Sequence, residues 1–154
     1  MPITFRSHPN AGWGIRLFKS TDSGGVRRVF DRCLREFPWR GSITEEWRNL
    51  KRTLKGSDIF VSEEPQAGIV GFMVINLSTG YISHVFVEMD WRFCGIGRGF
   101  LDIARDMTGK PLTLDVDEAN TAAVDAYEAL GWHVVAPTVR PPGVTYRQIR
   151  MVSP

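Results

Sequence analysis

The sequence predicts a single α/β domain, of the α+β kind, with a central mixed, mostly antiparallel sheet of six to seven strands flanked by about four helices. Three observations carry this expectation. The β-like runs Asp58 to Ser62, Gly68 to Leu77 and Tyr81 to Glu88 are joined by connections so short that antiparallel hairpins fit them. Two segments of helical period precede those runs. A strand, a helix and a strand then follow one another from Val85 to Val116, the pattern of a right-handed parallel crossover.

Each element has its own reason. Trp13, Ile15 and Leu17 alternate with Gly14 and Arg16, which predicts a first strand, and the polar stretch Ser20 to Gly25 ends it. Val26, Val29, Phe30, Cys33, Leu34 and Phe37 share one helical face, and Pro38 cannot continue that ladder. Ile43, Trp47, Leu50 and Leu54 repeat the spacing behind a capping box of Ser42 and Glu45. Ser78-Thr79-Gly80 turns one of the β-runs into the next. Ile96, Phe100, Ile103, Ala104 and Met107 make a third helix, stopped by Gly109-Lys110-Pro111 before a strand from Leu112 to Val116. Asn120 caps a fourth helix, Thr121 to Leu130, Gly131 closes it, and strands at Trp132 to Val135 and Val144 to Val152 end the chain.

Chemistry concentrates where the strand ending at Val87 passes through Arg92-Phe93-Cys94-Gly95-Ile96-Gly97-Arg98 into the third helix. The first N–H groups of a helix lack internal partners and sit at the positive end of its dipole, so an anion is welcome there. Glycine lets the main chain approach a pyrophosphate closely. The pattern resembles the acyl-CoA signature of the GNAT superfamily of N-acetyltransferases: Arg or Gln, two variable residues, Gly, one variable residue, then Gly or Ala. A second block, Leu114 to Trp132, resembles that family's next motif, with Asn120 opening a helix, Tyr127 inside it and Gly131-Trp132 closing it. The resemblance runs from about Gly68 to Val135.

That resemblance implies a GNAT-like fold and direct transfer of an acetyl group from acetyl-CoA to a primary amine of a small molecule or a protein, without a metal. It implies that Arg92, Phe93, Cys94, Gly95, Ile96, Gly97 and Arg98 hold the pyrophosphate, mainly through main-chain N–H groups. Val85, Phe86 and Val87 would lie along the pantetheine arm, in a gap where their strand splays from its parallel neighbour, and an N–H near Val87 would meet the oxyanion. Asn120 would touch the same arm. Tyr127, which lies on the same helical face as Asn120, would be the catalytic acid that protonates the leaving thiolate. Homodimers are frequent in the family, and the first two helices with the final hairpin usually line the acceptor site. Here those are Phe37 to Arg40, Glu45, Glu46, Trp47 and the Arg140 to Gly143 turn.

The general base is open among His84, Glu88, Asp115, Asp117 and a water chain. Strict alternation sets His84 on the face opposite Tyr81, Ser83 and Val85, a parity that a bulge would reverse. Cys94 makes the loop more apolar than is usual, and an unreactive thiol tucked beneath it is the simpler reading. Structural roles compete elsewhere: Tyr127 also has the spacing of a packing tyrosine, and Asn120 that of a plain helix cap.

Composition excludes little. A formal charge of +2 is too small to argue for a nucleic-acid partner, no run is long and apolar enough for a membrane, and two cysteines make no disulfide framework, so the cytoplasm is the expected compartment. Two other functions fit parts of the pattern. A dinucleotide-binding oxidoreductase would use Gly95, Gly97 and Asp115, but its third glycine falls on Phe100 and only one crossover is visible. A module that binds acyl-CoA without catalysis would need the same loop but no acid at Tyr127.

Overall fold

The computed structural model describes residues 3–137 and 146–154. The expected Arg140 to Gly143 turn and the first two residues of the expected last strand lie outside them. Eight strands and four helices follow in the order β1 (Thr4–Ser7), β2 (Gly14–Leu17), α1 (Ser23–Leu34), α2 (Ile43–Thr53), β3 (Asp58–Glu64), β4 (Gly68–Asn76), β5 (Tyr81–Val87), α3 (Ile96–Thr108), β6 (Thr113–Asp117), α4 (Thr121–Ala129), β7 (His133–Pro137) and β8 (Gln148–Val152). They form one sheet, ordered β1-β2-β3-β4-β5-β6-β8-β7. Every neighbouring pair is antiparallel except β5 and β6. No helix of the described residues is long and apolar enough to cross a membrane.

The sheet buries both faces. Met73 and Ile75 of β4 join Ile82, Phe100, Ile103 and Leu114 in a core beneath α3, whereas Phe72 and Val74 join Val29, Phe30 and Leu50 beneath α1 and α2. A strand covered by helices on both sides reads as a continuous apolar run, and Ile69 to Ile75 does so.

The strand count exceeds the expected six to seven because β1 pairs at the sheet edge with all four residues exposed, so no apolar alternation marks it. The helix α1 starts earlier than expected, taking in Gly24 and Gly25. At Gly25 an added Cβ would lie 2.7 Å from Ile69 Cγ1, so this glycine serves close approach of helix to sheet, not a loop. It also ends at Leu34, before Phe37, whose N–H bonds back to the Leu34 carbonyl at 3.0 Å.

The feature that makes room for a site is in β5. Val74 faces His84 and Ile75 faces Ile82, so Ser83 is an extra residue, a β-bulge. Pairing of β5 with β6 is confined to Tyr81 with Thr113 and Ile82 with Leu114. Beyond Ile82 the two strands part.

Candidate active site

The parting of β5 and β6 opens a cavity of about 720 Å³. Its wall includes Val85, Phe86, Val87, Arg92, Phe93, Gly95, Ile96, Gly97, Arg98, Asn120 and Tyr127, so the fold gathers these expected site residues around one space. Cys94 is the exception. Its Sγ–H donates to the Trp91 carbonyl at 2.9 Å and its own carbonyl accepts from Trp13 Nε1 at 2.9 Å, which turns the thiol under the loop.

Main-chain geometry gives the strand edge a polarity. Glu88 N–H donates to the Val70 carbonyl at 2.9 Å. By antiparallel alternation the N–H groups of Phe86 and His84 also turn toward β4, leaving those of Val85 and Val87 toward the gap. An extended chain with amides can pair there as an added strand.

At the mouth, Gly95 caps α3 with φ of 89°, a conformation that favours glycine. The N–H groups of Gly95, Ile96, Gly97 and Arg98 have no acceptor among the described residues. A Cβ added at Gly97 would meet nothing within 4 Å, so no protein neighbour demands a glycine there. Open space over unpaired N–H groups at a helix start fits a phosphate-bearing ligand. Phe93 is fully exposed and itself has a positive φ, 64°. The Arg92 guanidinium, by contrast, is engaged: Nε donates to the Val87 carbonyl at 3.0 Å, and Nη1 and Nη2 grip Glu36 at 2.7 and 2.6 Å.

Helix α4 brings the other wall. Asn120 caps it, its side-chain oxygen accepting from Ala123 N–H at 3.2 Å. Tyr127 packs at 5.3 Å from the Trp132 ring, and its hydroxyl has no partner among the described residues. Burial pushes this phenol up to about 12, so it holds its proton at neutral pH.

The four candidate bases separate. Glu88 lies against Arg28 and Arg32, at 3.6 and 3.1 Å, and does not line the cavity. Asp115 accepts from Tyr81 Oη at 2.8 Å and from Arg150 at 3.0 Å. Asp117 accepts from Arg40 at 2.6 and 2.8 Å, from Trp39 Nε1 at 3.0 Å and from Gln148 at 2.9 Å. Burial by itself would raise the Asp117 pKa, but the Arg40 hydrogen bonds and charge outweigh it and hold the carboxyl below its usual range. His84 is different. It shares the face of Phe86, whose ring is 5.7 Å away, and lies opposite Val85 as alternation requires, while the bulge parts it from Ile82, which joins Val85 on the face of α3. Its Nδ1 lies 2.9 Å from Ser83 Oγ, and it lines the cavity with Asp117 and Arg40.

Burial, then the Arg40 charge, push the His84 pKa down to about 3, so the imidazole is neutral. A depressed folded pKa means that the unfolded chain binds the proton more tightly. This contribution to stability is therefore complete above about pH 6.5, the unfolded value, and is lost as pH falls toward 3. Urea unfolding at pH 7 and pH 4 should show a loss of about 2 kcal/mol that His84→Gln removes, after discount for the partly open cavity. An equal loss in the variant would refute the assignment.

On the acceptor side, Trp47 packs partly buried against the core, 5.2 Å from Phe30, with Arg27 over its ring, and Glu45 serves through its N–H on Ser42. Glu46 is buried against Arg40 and Tyr146 Oη. Its carboxylate and that of Asp117 thus share one cation, Arg40. Glu36 was the residue least visible in the sequence, since an acid after a helix end carries no signal of a partner 56 positions away.

The fold and the cavity are those of the GNAT class, and comparison with known proteins agrees. The family model described as "Acetyltransferase (GNAT) domain" matches residues 36–153, and the chain belongs to that family, whose acyl donor is acetyl-CoA. Over 76 residues the chain is 37% identical to the peptidyl-lysine N-acetyltransferase YjaB of Escherichia coli K12. That alignment spans 49% of this chain and 48% of YjaB, about half the length of the curated relative. The solution structure of apo YjaB superposes with a TM-score of 0.73 at 25% identity, covering 91% of this chain and 96% of that one. The E. coli ribosomal-protein-S18-alanine N-acetyltransferase shares the fold, with a TM-score of 0.69 at 18% identity over 92% of this chain and 93% of its own. The dinucleotide alternative fails on topology: β5 and β6 are the one parallel pair among the described residues, and Asp115 is held by Tyr81 and Arg150.

Proposed function

We propose that this chain is an N-acetyltransferase that moves an acetyl group from acetyl-CoA directly to the primary amine of a small molecule or a protein, in the cytoplasm. The observation that carries the reading is the parting of β5 from β6 over a cavity with unpaired N–H groups at its mouth and the Tyr127 phenol on its wall. The N–H groups of Gly95 to Arg98 take the pyrophosphate, and Gly97 leaves it room. The gap-facing groups of Val85 and Val87 pair with the pantetheine amides, and Asn120 touches the same arm. Val87 N–H meets the oxyanion that develops on the acyl carbonyl.

An alkylammonium has no lone pair, so the acceptor first loses a proton to water. A neutral His84 does not repel the incoming cation. The amine nitrogen then bonds to the acyl carbon, the carbon–sulfur bond breaks, and Tyr127 gives its proton to sulfur. The nitrogen, cationic once bonded, gives up its second proton as the amide forms, and that proton returns the phenolate to phenol. A peptidyl lysine, the acceptor in YjaB's name, is one amine of the required kind.

Thermal unfolding with acetyl-CoA, and separately with NAD, tests this without knowledge of the acceptor. At about a hundred times its dissociation constant a ligand stabilises by roughly 2.7 kcal/mol, about five to ten degrees for a chain of this size. Gly97→Leu should abolish the acetyl-CoA shift while keeping or raising the midpoint of the protein alone, since leucine is the better helix former. No shift with acetyl-CoA, or an undiminished shift in the variant, would overturn the assignment of the loop.

A further inference from the structure

We propose that residues 36–40 form a strap that sets the width of the gap between β5 and β6, with Glu36, Arg40 and Arg92 acting as positioning residues. This rests on the acetyltransferase reading. Where the two strands part, no ladder joins their ends to each other, yet a cavity that aligns an acyl group with an amine needs a fixed width. Misplacement by about 1 Å can cost 10²-fold in rate.

The strap closes the open end of the wedge at both sides. On the β5 side, Glu36 takes the Arg92 guanidinium in a bidentate grip at 2.7 and 2.6 Å, and Arg92 Nε holds the carbonyl of Val87, the last residue of β5, at 3.0 Å. Cys33 Sγ–H donates to that same carbonyl at 3.5 Å. On the β6 side, Arg40 takes Asp117, the last residue of β6, in a second bidentate grip at 2.6 and 2.8 Å, with Trp39 Nε1 added at 3.0 Å. Between the two clasps Phe37 packs on Phe86 of β5, with ring centres 6.2 Å apart. The strap thus offers an acid to one strand end and a cation to the other, and both pairs have the planar fork geometry that fixes orientation as well as distance.

Stability is a poor reason for the Glu36 clasp. The Arg92 and Glu36 side chains are 32% and 27% exposed, and pairs so open to solvent contribute little. The clasp instead dictates where the Arg92 fork points. Because Glu36 neutralises Arg92, this arginine acts on the cofactor by holding Val87 and the loop in place, and not as a phosphate cation.

The test is a double-mutant cycle of Glu36→Gln and Arg92→Gln in the full chain, read by calorimetric binding of acetyl-CoA, by kcat against an accepted amine, and by the unfolding midpoint. Each single variant should keep its midpoint within about two degrees. Each should lose about tenfold in kcat or in acetyl-CoA affinity, and the double variant should be no worse than the poorer single one. Glu36→Asp, which keeps the charge and shortens the reach, should fall between wild type and Glu36→Gln. A phosphate-binding Arg92 gives the opposite pattern: Glu36→Gln then tightens acetyl-CoA binding, and the two losses do not overlap. That pattern, or binding and turnover unchanged in Glu36→Gln, overturns the strap alone. Failure of the wild-type protein to bind acetyl-CoA overturns the acetyltransferase reading on which it rests.

Discussion

Tyr127→Phe should lower kcat by about 10²- to 10³-fold while leaving acetyl-CoA affinity within about twofold. The change removes one oxygen and keeps the ring that packs on Trp132, so the fold and the pantetheine groove survive. What is lost is the proton for the departing sulfur, which corresponds to about 3–4 kcal/mol of barrier. The phenol, pushed up to about 12 by burial, stays protonated through the accessible pH range, so no limb of the kcat profile below pH 10 should belong to it. Calorimetry and thiol release measure the two quantities separately. Intact binding with undiminished turnover would remove Tyr127 from the mechanism and assign it the packing role. Binding without transfer to any amine, in wild type and variant alike, would make the chain a module that holds acyl-CoA without using it.

The second large effect is on stability. Asp117→Asn leaves the Arg40 guanidinium, 13% exposed, without its carboxylate and with Glu46 at 3.3 Å as the remaining charge. Breaking a buried pair from one side costs about 3–5 kcal/mol, which for this chain length lowers the midpoint by about ten degrees. Arg40→Gln in the same background should cost more still, because the buried Glu46 carboxylate then loses its cation. Absence of any further loss would mean that Glu46 is hydrated and does not depend on Arg40. The pH dependence has a definite sign. Arg40 holds the Asp117 carboxyl below its usual range, and Arg16, which donates to the buried Asp22 at 2.7 and 2.9 Å, does the same there, so their contribution is complete above about pH 4 and is lost as pH falls through their depressed values. That window overlaps the lower end of the one assigned to His84, so the His84 contribution is read between about pH 6.5 and pH 4.

Some of this was legible from neighbours along the chain. The glycine loop, the α3 stop at Gly109, the Asn120 cap and the single parallel crossover all depend on residues within a few positions of one another, through caps, positive φ and periodicity. So did the family resemblance, which is carried by two contiguous blocks. The edge strand β1 was not legible, because an edge pairs through its backbone and asks little of its side chains.

What the sequence by itself determined is the class, which helix carries Asn120 and Tyr127, and in what order the strands and helices come from β2 onward. Tertiary structure alone decided the working geometry. A one-residue bulge at Ser83 puts Ile82 and His84 on opposite faces of the sheet, and the Glu36–Arg92 and Arg40–Asp117 pairs join residues 56 and 77 positions apart. The physical reason is range. Caps and periodicity are set by covalent neighbours, whereas strand register and the partner of a buried charge are set by which surfaces meet when the sheet and helices pack, and no local pattern encodes that meeting.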